Sequence, residues 1–379
     1  MELSFANGVL LLLLIAAVVA MASRRLALPY SVGFVATGMI LALLPLTPKI
    51  SFTRELIFDA LLPRLIFEAA FYLRWDQLRR EIPIVLMLAT AGVVVSGAVT
   101  ALGMHYLAGW QWSGAVVFGS LIAATAPVSV IATFRDVKVH GRLRLLIESG
   151  SLFNDGTAAI AFGAAVLFSS GHAVTASGLA ENTALVIAGA FVCGAGVGSK
   201  ALFLTRRTRD HLVELTFTTV AAYGSFLLAE QLHFSGVLAT IVAGLIIGNL
   251  GPIGILSDRG REAVQAFWEY AAFVANSLVF LLIGMHEATQ NFRVVWMPCF
   301  VAVLVVVLAR AIAVYSLCGL FVRSGLRITA QHQHALFWGA LRGALALALA
   351  LGLPMQMPRR SGLLLSLLRS WPSRFLPRV

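Results

Sequence analysis

A carboxylate inside an apolar stretch, Asp155, is the residue of this sequence whose position most needs a chemical explanation. It belongs to the motif Ser151–Ala158, in an apolar run from about residue 143 to 168 that is long enough to cross a bilayer. A carboxylate at the centre of a membrane costs roughly 2.5–3.5 kcal/mol on insertion scales, and such residues typically belong to ion or proton paths. The position predicts an ion site at Asp155, with a purely structural salt bridge as the alternative.

Other oxygen-bearing side chains accompany Asp155 on the same predicted helix. Glu148, Ser151 and Asp155 are spaced i, i+3 and i+7, so they share one helical face. Carboxylate and hydroxyl oxygens are ligands that hard cations prefer. Glu68, in an earlier apolar run, has two open roles: it either pairs with Arg64 one turn back or acts as a ligand or stabiliser beside the ion site.

The composition is that of a polytopic α-helical membrane protein. Of the 379 residues, 59% are hydrophobic and only 12% are charged, with a mean hydropathy of +0.90, which excludes a soluble domain of this length. The apolar runs are continuous and do not alternate with polar residues, so we expect an all-α fold. About 12 transmembrane helices are expected, near residues 6–23, 31–47, 55–73, 83–103, 113–134, 143–168, 183–204, 212–230, 235–250, 265–285, 295–322 and 332–354.

Positive charges lie in alternate connections between these runs. The net charge of +11 comes from short basic clusters beside membrane segments, which is the positive-inside pattern and does not indicate nucleic-acid binding. The alternation predicts a multi-pass protein of the inner (cell) membrane with its N-terminus outside. The clusters are Arg24/Arg25, Arg74/Arg79/Arg80, Arg135/Lys138/Arg142/Arg144, Lys200/Arg206/Arg207/Arg209, Arg259/Arg261 and Arg323/Arg327.

Two apolar runs, one in each half of the chain, are interrupted. The fifth contains Pro127, which removes a backbone donor and disfavours helix at Ala126. The twelfth contains Arg342, with Gly339 before it and Gly343 after it. Paired interrupted helices indicate a secondary transporter built from inverted repeats. The alternative is that Pro127 only kinks its helix and the glycines only permit close packing.

The sequence lacks the motifs of several other functional classes. It contains no HExxH, Walker A or GxSxG motif and no TVGYG potassium filter. We therefore expect no enzyme activity and no cofactor. A secondary transporter and an ion channel remain as the candidate functions.

Six stretches of the sequence carry a resemblance to a known family. They are Leu65–Phe71, Ser151–Ala158, His233–Ala239, Ala243–Asn249, Phe267–Tyr270 with Asn276–Phe280, and Trp338–Ala344. Together they resemble the monovalent cation:proton antiporter family, in its bacterial and plant type, the Na⁺/H⁺ antiporter/exchangers, and in the electroneutral branch that carries an Asn-Asp pair. The resemblance covers the chain from about residue 6 to residue 358.

The resemblance implies a fold, a mechanism and a set of site residues. The fold has two crossing broken helices, and a core domain moves against a dimerisation domain, so a homodimer in the lipid bilayer is expected. The function implied is exchange of Na⁺ or K⁺ for H⁺, which are the transported ions. Asp155 is expected to bind the cation or a proton in turn, and this competition couples the two fluxes by alternating access. The rival functions are an ion channel and a transport-deficient homologue retained as a sensor or regulatory membrane protein. The other residues expected around the ion are Asn154, Ser151, Thr125 and Glu68.

Several further charged residues inside apolar runs are expected to serve structure or charge balance. A buried cation needs anionic or carbonyl partners, so structural pairing is the role expected for the arginines. The resemblance matches Arg342 to the buried arginine of the second broken helix. The residues in this group are Arg342, Arg310, Glu148 and Glu269.

Three departures from the family pattern qualify these expectations. The first broken helix usually reads Thr-Asp-Pro, whereas Ala126 here replaces the aspartate. The family usually has a glutamate where this chain has Gly150, so Arg342 is expected to lack its partner, which costs roughly 3–5 kcal/mol for a buried charge. Finally, residues 1–358 form the expected antiporter domain, and residues 359–379 form an atypical basic tail, expected to be an aberrant or truncated end in place of the family's last helix.

Overall fold

The fold is a set of long helices with short connections. The computed structural model describes residues 5–26, 30–43, 56–125, 141–169, 175–252, 254–288 and 292–338. All regular structure in these residues is helical, as predicted, and their helices coincide in chain order with the predicted apolar runs. They are α1 (Phe5–Arg25), α2 (Tyr30–Ala42), α3 (Leu62–Tyr72, preceded by a π-helical turn at Leu56–Leu61), α4 (Trp75–Ala108), α5 (Trp112–Ala123), α6 (Arg142–Ser169), α7 (Ala176–Thr205), α8 (His211–Gln231), α9 (Gly236–Leu250), α10 (Asp258–Ala288), α11 (Phe292–Leu320) and α12 (Ala330–Trp338).

Most of these helices are suited to a membrane. Within the described ranges, 7 helices are long and apolar enough to cross one, namely α1, α4, α6, α7, α8, α10 and α11. Large apolar side chains such as Leu14, Val94, Val192 and Leu304 are exposed on the helix surfaces, where a bilayer would cover them. The prediction of a multi-pass membrane protein is confirmed.

The described helices pack as two bundles. In the first, here called the α4 bundle, α4 packs against α5, α6 and α11, and α12 packs against α11 and α6. In the second, here called the α9 bundle, α9 packs against α3, α7 and α8, while α10 packs against α2, α3 and α8, and α1 packs against α2 and α10. The main contact between the bundles is made by α6, which packs against α3 and α9.

A charged cluster ties the α4 bundle together at one end. The Arg142 guanidinium, at the start of α6, bonds both carboxylate oxygens of Glu81 in α4, at 2.8 and 2.9 Å. It also donates to the carbonyls of Leu326 and Arg327, each at 2.8 Å, in the connection between α11 and α12. Paired, bidentate contacts of this kind fix orientation as well as distance. The cluster therefore holds α4, α6 and the α11–α12 connection in one arrangement.

Candidate cation site

A helix ends in the interior of the α4 bundle and exposes its polar backbone there. The helix α5 ends at Ala123, and Ala124 has an extended ψ of 137°. Ala124 and Thr125 are both buried, with 1% and 2% of their surface exposed, so this non-helical backbone lies inside the protein. In a membrane, irregular backbone is tolerated where protein or a water-filled cavity satisfies it.

The residues predicted to break the two helices lie outside the described residues. Ala126 and Pro127 follow directly after Thr125, and Gly339, Arg342 and Gly343 follow directly after the last described helix, α12. The basic tail at residues 359–379 lies outside them as well.

Thr125 contacts two polar side chains of α6. The Asn154 Nδ2 donates to Thr125 Oγ1 at 3.0 Å, and the two hydroxyls of Thr125 and Ser151 are 3.4 Å apart. The Ser151 hydroxyl also donates to the Thr125 carbonyl. Ser151 and Asn154 are three residues apart on a continuous helix, so both side chains face the broken end of α5. Three of the predicted site residues are thus brought together.

Two acceptor oxygens beside this contact are buried without a hydrogen-bond partner among the described residues. They are Asn154 Oδ1 and Asp155 Oδ1. The Thr125 backbone amide is directed at the Asp155 carboxylate, so Asp155 also lies at the end of α5. A buried acceptor left unsatisfied costs about 1–3 kcal/mol, and more when it is charged. A proton would satisfy the Asp155 oxygen, and amide, hydroxyl and carboxylate oxygens are all suitable ligands for a hard cation.

A small cavity adjoins these side chains. Its polar lining consists of Thr125, Ser151, Asn154 and Arg310, and it has room for about one water molecule. Arg310, predicted only to balance charge, donates from Nη2 to the Leu336 carbonyl at 3.3 Å. Gly150 also lines the cavity, and a Cβ at this position would meet no atom of the described residues within 4 Å. Position 150 and Arg310 therefore border the same cavity.

The other predicted charged residues have separate surroundings. Glu68 is half-buried in α3, one of the helices that pack against α6. Arg64, its predicted partner, donates from Nε to the Ala60 carbonyl and to the Tyr223 hydroxyl, each at 2.9 Å. Glu148 forms a 2.7 Å ion pair with Arg144 one turn back on α6. Glu269 is exposed on α10.

One polar residue near the site was not singled out as a site residue from the sequence. The Thr157 hydroxyl, two residues after Asp155, donates to the Ala89 carbonyl of α4 and lies 3.1 Å from the Asn154 carbonyl. It therefore joins α6 to α4 just beside the site. Its position inside the Ser151–Ala158 motif was the available signal, but a hydroxyl alone does not indicate which carbonyl it contacts.

Comparison with known proteins identifies the family. Residues 10–368 match the family model described as "Sodium/hydrogen exchanger, transmembrane". The chain belongs to the sodium/hydrogen exchanger family. A Na⁺/H⁺ antiporter of Aphanothece halophytica, ApNhaP, is 37% identical over 326 residues, which are 84% of this chain and 61% of that protein. The Na⁺/H⁺ antiporter NhaH of Halobacillus dabanensis is 31% identical over 351 residues, which are 89% of this chain and 86% of that exchanger.

The exchanger fold is also found by structural comparison. The sodium proton antiporter MjNhaP1 of Methanocaldococcus jannaschii superposes with a TM-score of 0.77 at 18% sequence identity, covering 98% of this chain and 94% of that one. At this identity the likeness shows the fold, and the predicted antiporter-like fold is confirmed. The chain spans 61% of the length of each of the first two curated exchangers it matches.

Proposed function

We propose that this chain exchanges a monovalent cation, Na⁺ or K⁺, for protons across a membrane. The observation that carries the proposal is the pair of buried oxygens, Asn154 Oδ1 and Asp155 Oδ1, that have no hydrogen-bond partner among the described residues at the end of α5. Membership of the sodium/hydrogen exchanger family supports the same function. Asp155 holds either the cation or the proton, and the two fluxes are coupled because the two ligands compete for one carboxylate.

The supporting residues around Asp155 have separate roles in this proposal. The amide of Asn154 is oriented by its hydrogen bond to Thr125, so that its Oδ1 is available to the cation. Ser151 and the backbone of Thr125 supply further oxygens at the same place. Glu68 contributes negative charge from α3, one of the helices that pack against the site helix α6.

Alternating access follows from the two bundles. The site lies in the α4 bundle, so a rocking motion of that bundle against the α9 bundle would expose Asp155 to each side of the membrane in turn. We further propose that the protein lies in the inner membrane as a homodimer with its N-terminus outside. It is a transporter and not an enzyme, and it needs no cofactor beyond the transported ions.

The test is cation-driven proton movement in everted vesicles from cells that lack their own antiporters. Adding Na⁺ or K⁺ should dissipate a preformed pH gradient when this chain is present, and Asp155→Asn should abolish that effect. Asp76→Asn is the matched control, because its carboxylate is 75% exposed at the start of α4. Equal exchange by the unmodified chain and Asp155→Asn would overturn the site assignment.

A second candidate function is a transport-deficient exchanger retained as a sensor or regulatory protein. The observation that favours this candidate is the loss of a carboxylate near the site. Position 150, where the family usually has a glutamate, is a glycine here, and it lines the same cavity as Arg310. Ala126→Asp restores the carboxylate usual at the broken helix, and it should raise exchange. A folded chain that gives no exchange, with exchange restored by Ala126→Asp, would favour the second candidate over the first.

A further inference from the structure

The connection between α3 and α4 is a place where the chain passes from one bundle to the other. It consists of two extended residues, Leu73 (φ −73°, ψ 120°) and Arg74 (φ −81°, ψ 117°). The α6–α7 and α10–α11 connections also join the bundles, and each includes residues outside those described. Relative motions of rigid bodies are absorbed by a few residues at the ends of elements. Leu73 and Arg74 have the location and the conformation for such a hinge.

One amide side chain bonds to both sides of this connection. Asn249, near the end of α9, accepts from the Trp75 backbone N–H at 2.7 Å through Oδ1. Its Nδ2 donates to the Leu73 carbonyl at 2.9 Å and to the Leu245 carbonyl of its own helix at 2.8 Å. Both amide hydrogens and the amide oxygen are therefore used, and the bond to Leu245 fixes the side-chain orientation.

The bond to Trp75 caps a helix that belongs to the other bundle. Trp75 is the first residue of α4, and the residue before it, Arg74, makes no side-chain capping bond. The first N–H groups of a helix have no partner within the helix and need one from outside. Asn249, in the α9 bundle, supplies the acceptor for the Trp75 N–H, so the start of α4 is attached to α9.

Close packing fixes the other side of the connection. A Cβ at Gly248, the residue before Asn249, would overlap the carbonyl of Phe71, and a Cβ at Gly244 would lie 2.7 Å from the Ala70 Cβ. These two glycines let α9 lie directly on the backbone of α3 where α3 ends. Asn249 is thus part of a rigid α3–α9 contact and bonds from there to the first residue of α4.

We infer that Asn249 is a positioning residue for the antiport proposed above, on which this inference rests. Its amide fixes the pivot at which the α4 bundle turns against the α9 bundle, while Leu73 and Arg74 absorb the rotation. The hydrogen bonds of Asn249 join it to Leu73, Trp75 and Leu245, and among the described residues none joins it to Asp155 or its polar neighbours. It therefore controls how fast the site changes sides and leaves the affinity of the site for its cation unchanged.

The test compares the maximal rate (Vmax) and KM of Na⁺-driven proton movement in variants of Asn249. Asn249→Ala removes all three hydrogen bonds of the side chain, and it should lower Vmax at least about tenfold, a factor that the loss of a single ordinary hydrogen bond can account for, while KM stays within about twofold. Asn249→Asp keeps an acceptor for Trp75 but loses the donor to Leu73, so Vmax should fall here too. Thr218→Val is the matched control, because it removes the 3.1 Å hydrogen bond from Trp268 Nε1, which lies entirely within the α9 bundle.

Three results of the transport assay would overturn the inference. They are an unchanged Vmax in Asn249→Ala, an equal loss of Vmax in Thr218→Val, and a normal Vmax in Asn249→Asp. The last result would show that the acceptor for the Trp75 N–H is sufficient for normal exchange without the bond to Leu73. Hydrogen exchange separates this inference from the proposed function, because it needs no transport. The Trp75 amide should exchange faster in Asn249→Ala than in the unmodified chain, even if neither moves Na⁺. Equal protection of this amide in both proteins would refute the role of Asn249 at the start of α4.

Discussion

Replacing Thr125 by valine tests whether the broken end of α5 shapes the cation site. Valine has nearly the same shape as threonine but no hydroxyl, so Asn154 Nδ2 loses the acceptor that it has at 3.0 Å. The contact with the Ser151 hydroxyl at 3.4 Å is lost as well. Asn154 then has no fixed orientation, and its Oδ1 is no longer held for the cation.

The size of the effect follows from these contacts. A buried polar group that loses its partner costs about 1–3 kcal/mol, and about 1.4 kcal/mol corresponds to a factor of ten in affinity. Removing a residue that orients a metal ligand typically weakens binding about 10–100-fold. We therefore expect the KM for Na⁺ of Thr125→Val to rise about tenfold or more, with a smaller change in Vmax.

The assay is Na⁺-dependent proton movement in everted vesicles at one fixed pH, over a range of Na⁺ concentrations. Thr125→Ser is the control, because it keeps the hydroxyl and removes only a methyl group, and its KM should stay close to that of the unmodified chain. A Thr125→Val variant that is folded and has an unchanged KM would refute the role given to Thr125 and, with it, the orientation of Asn154.

Two glycines of α6 give further predictions. Gly150→Glu places a carboxylate at the cavity that Arg310 also lines, so it should raise the thermal midpoint of the purified protein, whereas the neutral Gly150→Gln should raise it less. Equal midpoints in the two variants would contradict an ion pair between the new carboxylate and Arg310. A Cβ at Gly156 would lie 2.9 Å from Leu238 Cγ, at the contact of α6 with α9. Gly156→Ala should therefore lower Vmax, and the double variant with Leu238→Ala should recover it; no recovery would show that the contact between bundles is not what slows exchange.

The membrane helices could be predicted from the sequence because their apolar runs are continuous. The ends of the helices were predicted less well, because a helix continues beyond its membrane-spanning part. The helix α4 begins at Trp75, well before the apolar run near residue 83, and it includes Arg79, Arg80 and Pro83. The charged residues of the first turns lower the local hydropathy without breaking the helix. Pro83 lies inside the helix. Neither feature therefore marks the residue at which α4 begins.

The candidate site could be predicted in part. The carboxylate of Asp155 was recognisable from its depth in an apolar run, and the family motifs named Asn154, Ser151 and Thr125 as its neighbours. The Thr125–Asn154 hydrogen bond joins residues 29 positions apart, so only the packing of α5 against α6 shows it. Spacing on a helix placed Glu148 on the face of Asp155, but its pairing with Arg144 depends on side-chain orientations that spacing does not determine.

The bonds of Asn249 could not be predicted, although its motif was recognised. Its partners are backbone groups of Leu73 and Trp75, and any residue type supplies such groups. Which of them an asparagine meets depends on the path of the chain between two bundles. No pattern in the amino-acid sequence indicates that path.

Proton release on Na⁺ binding is the measurement that tests the central claim most directly. The claim is that one carboxylate, Asp155, holds either a proton or the cation. Calorimetric titration of the purified protein with Na⁺, in buffers of different ionisation enthalpy, gives the number of protons released. We expect proton release on Na⁺ binding in the unmodified chain and neither binding nor release in Asp155→Asn. Na⁺ binding without proton release, or equal release in both proteins, would contradict the account.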